Sequence, residues 1–180
     1  MLIRIQFKYD RYIYFFRRPI YRCNVTGGFM SIDAILDQRW QFCHQPLSWR
    51  HAIHLACQPL ISESKVNASY PLHIIDALKQ DKQDFVVSEG VLLVFAQPEQ
   101  GVISKRGEAS VLKCDKPVVL QNGSEVSLII VLSAGTQAEL NSLHQQIEGW
   151  LEMNNCREHL MQATSQNMLG SRIQAGSRMH

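Results

Sequence analysis

Gly90-Val91-Leu92-Leu93-Val94-Phe95-Ala96-Gln97-Pro98-Glu99-Gln100-Gly101-Val102 is the stretch on which the reading of the fold turns. Val91 to Ala96 is a short continuous apolar run, rich in β-branched residues and without polar alternation. That pattern belongs to a central strand covered on both faces. It empties into Ala-Gln-Pro-Glu-Gln-Gly, whose proline and glycine mark a turn-rich loop of the kind that carries function on a rigid scaffold.

Working outward, Ser127 to Leu132 is a second run of the same type, and Ala109 to Leu112 is a shorter candidate strand. Gln121-Asn122-Gly123-Ser124 reads as a turn between strand-like segments. Helical spacing appears elsewhere. Ser48 is a natural N-cap for Trp49 onward, where Ala52, Leu55, Ala56 and Leu60 recur on one face. Ile74, Ile75 and Leu78 form a second amphipathic helix entered through Pro71. Ala138 to Leu151 makes a third, with Leu140, Leu143, Ile147 and Leu151 aligned. A last helical segment holds Leu160 and Met161, and the tail from Gly170 onward is expected to fray. Helices interleaved with strands predict an α/β fold, a mixed β-sheet flanked by helices.

A chain of 180 residues with 46% apolar and 19% charged residues has the composition of one globular domain with a proper core. The net charge of +2 does not mark a nucleic-acid binder. The charge is uneven, however: residues 1–29 carry +5 and eight of the fifteen aromatic residues, leaving −3 for the rest. Such a break marks a boundary. Residues 1–29 are therefore set apart as a basic aromatic arm. It is read as sequence upstream of a natural opening at Met30-Ser31-Ile32-Asp33, with a membrane-surface or RNA-binding arm as the alternative. No apolar run has the length of a transmembrane span. Five widely spaced cysteines, Cys23, Cys43, Cys57, Cys114 and Cys156, form no Cys-x-x-Cys pair and fit a reducing, cytoplasmic compartment.

The loop and its surroundings resemble the EIIA proteins of the sugar phosphotransferase system (PTS), fructose/mannitol class, nearest the ascorbate and mannitol types. Those read roughly Gly-φ-Ala-φ-Pro-His-Ala-Arg-Pro-Glu-x-Gly-Val, where φ is apolar. Gly90, Ala96, Pro98, Glu99, Gly101 and Val102 match. The phosphoacceptor histidine falls on Phe95, the proline before it on Val94 and the arginine after it on Gln97. A second family histidine, in a pattern like Leu-Ala-Ala-x-Asp-x-x-x-His, falls on Leu140 within Leu132-Ser133-Ala134-Gly135-Thr136-Gln137-Ala138-Glu139-Leu140, with Thr136 at the aspartate. The resemblance runs from about Ser31 to Ile173. It takes Trp49 to Ala56 as the first family helix, Tyr70 to Lys79 as the second, and Lys113 to Val119 as the strand after the site. Ile103 to Gly107 is one residue longer than the family pattern.

The resemblance implies an EIIA-like domain over residues 30–173 with HPr-like and EIIB-like PTS partners and no cofactor; the residues themselves add a flexible tail over 174–180 and no metal site. The resemblance also implies a binding site at Ala96, Gln97, Pro98, Glu99 and Gly101. The chemistry of the family needs an imidazole nucleophile, and a benzyl ring has no lone pair to offer. Gln97 also replaces a bidentate guanidinium with an amide. The expected function is a degenerate EIIA relative, binding or regulatory, that does not accept phosphate. The rival is an active phosphocarrier using His144 or His73, and a third reading is a decayed gene product. His144 lies one helical turn beyond Leu140 and, with Gln145 and Gln146 following, is read first as an exposed helix histidine, projection toward the Phe95 loop being the alternative. His51 and His54, at i and i+3, lack a third metal ligand and are expected to be half-buried. Lys116, following Cys114, is a candidate for lowering that thiol's pKa. Lys105, Arg106, Lys113 and Lys116 are the candidates for a basic edge near the loop. Ser104 and Ser110 are weaker candidate acceptors without a base nearby in sequence.

Overall fold

The computed structural model describes residues 30–80 and 85–177. The basic arm of residues 1–29 lies outside the described residues, as do 178–180.

Five strands form one mixed sheet. They are β1 (Trp40–Cys43), β2 (Val86–Ser88), β3 (Gly90–Phe95), β4 (Glu108–Val119) and β5 (Glu125–Ser133), in the order β1-β4-β5-β3-β2. β3 and β5 are parallel, with Phe95 beside Leu132, and β4 runs antiparallel to β5. β1 is a parallel edge strand on β4, and β2 pairs antiparallel on β3.

One face of the sheet is covered by α1 (Ile32–Leu36), α4 (Gln137–Glu152), α5 (Cys156–Met161) and α6 (Gln166–Ser177). The other carries α2 (Trp49–Ser62) and α3 (Tyr70–Lys79). The strand alternation explains the continuous apolar runs. Val91 and Leu93 enter the first core while Leu92 and Val94 enter the second, so none of the four positions from Val91 to Val94 can be polar without cost. β5 is divided in the same way, with Leu128, Ile130 and Leu132 on one side and Ile129 and Val131 on the other. The expected α/β fold with a helix-flanked mixed sheet is what the chain adopts.

The helix starts obey local chemistry. Ser48 accepts the His51 N–H and Thr136 accepts the Glu139 N–H, each satisfying one of the free donors of a first turn. α3 begins with Pro71 in its first turn, where the missing N–H costs nothing.

Three expectations need correction. The segments at Ala109–Leu112 and Lys113–Val119 are one long strand. Its register shifts between Lys113 and Val118, around Pro117, which has no N–H for the ladder. The tail does not fray from Gly170: α6 continues to Ser177, with Leu169, Gly170 and Ile173 buried. A Cβ on Gly170 would lie 2.5 Å from Trp40 Nε1, so this glycine lets α6 approach β1. His51 and His54 are exposed, not half-buried, and no group of three metal-ligating side chains occurs among the described residues. Among the described residues no helix is long and apolar enough to cross a membrane.

Candidate functional site

The loop after β3 and the turn after β5 leave the same end of the sheet side by side. A single hydroxyl joins them. Tyr70, fully buried at the start of α3, donates to Leu132 O at 2.5 Å and accepts from Ala96 N at 3.1 Å. Burial raises the pKa of this phenol well above its ordinary range, so it stays a neutral donor and acceptor. Tyr70 entered the sequence reading only as the first residue of a helix. A buried tyrosine needs a partner for its hydroxyl, which is the signal available beforehand.

The loop itself is closed by local bonds. Gln97 N donates to Gln100 Oε1 at 2.9 Å, and Gln100 N donates to Gln97 O at 2.8 Å. Gly101 adopts φ +100, where a Cβ would lie 2.4 Å from Asn67 Oδ1. Its carbonyl accepts the Asn67 N–H at 2.8 Å. Val102 then bridges to Val66, and Ile103 and Ser104 both donate their N–H groups to Lys65 O. Gln97, Pro98 and Gly101 are half-buried in this turn and Glu99 is exposed. Ala96 is buried.

Phe95 points to the α4 side and stacks edge-on against two rings. Its centroid lies 5.9 Å from that of Phe85 and 5.9 Å from that of His144. Leu140 is fully buried in the core beneath α4. His144 is half-buried, with Nδ1 3.2 Å from Glu148 Oε2 one helical turn on. Of the candidate residues, the fold thus brings Phe95 and His144 into contact. It leaves His73 apart on α3, where its Nε2 is 3.5 Å from Ser69 Oγ. Ser110 is no acceptor, since it is buried and donates to Ala56 O at 2.6 Å.

A buried ion cluster beside the loop was not foreseen. Arg39, almost wholly buried, donates to Glu108 Oε2 at 2.5 Å, Glu63 Oε2 at 2.7 Å, Ile35 O at 2.7 Å and Ala109 O at 3.0 Å. Glu108 also receives Lys65 Nζ at 3.1 Å and the Ser104 hydroxyl at 3.0 Å. This carboxylate is where the loop, β4 and the start of β1 are tied together. It also supplies the carboxylate that Ser104 lacked in sequence, although two cations already hold it.

The basic edge is corrected too. Lys105, Arg106 and Lys116 are exposed, but Lys113 is buried, its Nζ donating to Cys114 O at 2.7 Å and lying 5.8 Å from the Phe42 ring centroid. No lysine lowers the Cys114 thiol on balance. Burial, then the neighbouring Cys43, push it from 9.0 up to about 11, outweighing Lys113. Burial likewise raises Cys156 to about 12. A folded pKa above the unfolded one means that the native state holds the proton more tightly. These thiols therefore contribute stability that is fully present below about pH 9 and lost as pH rises through 11–12. Urea midpoints measured from pH 8 to 11 are expected to fall. A flat profile would show that both thiols ionise as freely folded as unfolded.

No protein-family model matches the sequence, and no curated protein matches it. Solved structures do match in fold. The mannitol-specific cryptic phosphotransferase enzyme IIA CmtB of Escherichia coli superposes with a TM-score of 0.73 at 21% identity, over 81% of this chain and 99% of that one. Enzyme IIA of the E. coli mannitol system, solved in complex with phosphorylated enzyme IIB, gives 0.62 at 15% identity, over 77% and 95%. The nitrogen regulatory protein IIA-Ntr of Neisseria meningitidis gives 0.60 at 18%, over 79% and 98%. The chain has the fold of PTS IIA proteins.

Proposed function

We propose that residues 30–173 form an EIIA-like domain that docks PTS proteins of the HPr and EIIB types in the cytoplasm without accepting phosphate. The observation that carries this reading is the apolar filling of the site. Phe95 stands at the acceptor position, wedged between Phe85 and His144, and Leu140 at the second histidine position is sealed in the core. Phosphoryl transfer is positioning plus stabilisation of spread negative charge. Neither side chain offers a nucleophile or a donor, and the Gln97 N–H is already spent on Gln100. Docking is supported by two apolar side chains, Leu72 on α3 and Ile103 at the end of the loop, which are 51% and 58% exposed, and by exposed Lys105 and Arg106 shortly after Ile103 in the chain. The fold is also that of an enzyme IIA solved with its enzyme IIB and of a nitrogen regulatory protein, which fits a binding or regulatory role.

One observation favours a second reading, an active phosphocarrier. Its Nδ1 lies 3.2 Å from a Glu148 carboxylate oxygen, so a His144 imidazole that carried its proton on that side would present the Nε2 lone pair as a nucleophile. His73 has only Ser69 near it and is the weaker alternative.

The test is phosphotransfer. The full chain is incubated with phosphoenolpyruvate, enzyme I and HPr, and its intact mass is read under neutral conditions that preserve phosphohistidine. The expected result is no added phosphate on a folded protein while a histidine-bearing EIIA is labelled in parallel. Label on this chain, mapped to the His144 peptide and abolished in His144→Ala, would replace the first reading with the second.

A further inference from the structure

β1 and β4 carry two thiols at one rung of the sheet. Cys43, the last residue of the edge strand, is the direct partner of Cys114 on β4. Directly paired residues on adjacent strands project to the same face, and both thiols pack against the α2/α3 core. Neighbouring strands lie about 4.8 Å apart. That falls within the span of roughly 4.4–6.8 Å between Cα atoms that a disulfide bridges. The Cβ atoms must come closer than the flat ladder holds them, to about 3.8 Å. Cys43 ends an edge strand and is followed by the open segment 44–48, so the backbone on that side can make the adjustment.

The two thiols also differ in a useful way. Cys43 is half-exposed and donates only to Gln45 O at 3.5 Å, whereas Cys114 is wholly buried. The other two cysteines among the described residues, Cys57 on α2 and Cys156 on α5, are buried and pair with no cysteine across a strand rung.

We infer that Cys43 and Cys114 form a reversible redox pair, in which a hydroperoxide oxidises Cys43 and Cys114 resolves it to an intramolecular disulfide. In the first step the Cys43 sulfur attacks the peroxide, the O–O bond breaks, water or an alcohol leaves, and Cys43 becomes a sulfenic acid. In the second, the Cys114 sulfur attacks the sulfenic sulfur, the S–S bond forms, and the hydroxyl departs with the Cys114 proton as water. Two thiols lose two electrons and the hydroperoxide gains them. A dithiol restores the reduced pair by exchange. The bond would pin the edge strand to the sheet from the end opposite Arg39. Because Cys114 holds its proton up to about pH 11, the second step is the slower at neutral pH and accelerates as pH rises.

The full chain treated with hydrogen peroxide, alkylated and mapped without reduction is the experiment. The expected products are a Cys43–Cys114 linked peptide, a loss of two hydrogens per chain, and full reversal by dithiothreitol. Cys43→Ser, at a half-exposed position where folding is checked by circular dichroism, is expected to abolish the link and leave Cys114 as thiol. In wild type, a faster closing of the link at pH 9 than at pH 7 is expected. Cys43 ending as sulfinic acid beside an intact Cys114 thiol would overturn the pairing. So would a link from Cys43 to Cys23, or to a second chain in a concentration-dependent dimer.

Discussion

Arg39→Met is expected to destabilise the fold by about 3–5 kcal/mol, the cost of breaking a buried ion pair by removing one partner. The methionine keeps most of the apolar stem, so the loss is chiefly one of charge and hydrogen bonds. Glu108, 6% exposed at its side chain, would keep only Lys65 and Ser104 as partners. The carbonyls of Ile35 and Ala109 would each lose a donor in a buried setting. Asp37 is mostly in water and Glu63 partly so, and both contribute less to the total than Glu108. Urea unfolding at neutral pH checks this, with the midpoint falling and the slope unchanged. A loss under about 1 kcal/mol would mean that water replaces the guanidinium and that the cluster is not sealed. Glu108→Gln is expected to cost less than Arg39→Met, because the amide retains the shape and one acceptor oxygen.

Tyr70→Phe removes one oxygen atom and is expected to cost about 1–3 kcal/mol for each buried group left without a partner. Two groups are affected, the Ala96 N–H and the Leu132 carbonyl. Ala96 opens the loop and Leu132 lies just before the turn into α4, so the loss falls on both segments of the candidate site. Hydrogen exchange is the discriminating measurement. Residues 96–104 are expected to lose protection while the centres of β3 and β5 retain theirs. Uniform loss over the sheet would make Tyr70 an ordinary core residue, and no loss in the loop would show that its own turn bonds suffice.

These two side chains show where sequence reading stops. The central strands were legible because β3 and β5 are covered on both faces, which forces an unbroken apolar run. α2, α3 and α4 were legible because their buried residues recur every three to four positions. β1 was missed: four residues at a sheet edge, all half-buried, produce no period. The fraying tail was misread because Gly170 looked like a breaker, whereas its missing Cβ is what admits Trp40. Lys113 was read as part of a surface edge because a lone lysine in a strand gives no sign of the Phe42 ring and the carbonyl that accommodate it.

By itself the sequence determined the layered α/β architecture, the position of the loop after β3, and the absence of an imidazole at Phe95 and Leu140. These are properties of local pattern and residue chemistry, and no packing can give a phenyl ring a lone pair. Only the tertiary structure decided that His144 meets Phe95, that Tyr70 joins the two site segments, that Arg39 and Glu108 share a buried cluster, and that Cys43 faces Cys114. The physical reason is separation along the chain. Arg39 and Glu108 are 69 residues apart, and Tyr70 and Leu132 are 62. Such contacts exist only after the hydrophobic runs have stacked the helices on the sheet, and nothing in either neighbourhood of the sequence encodes its partner.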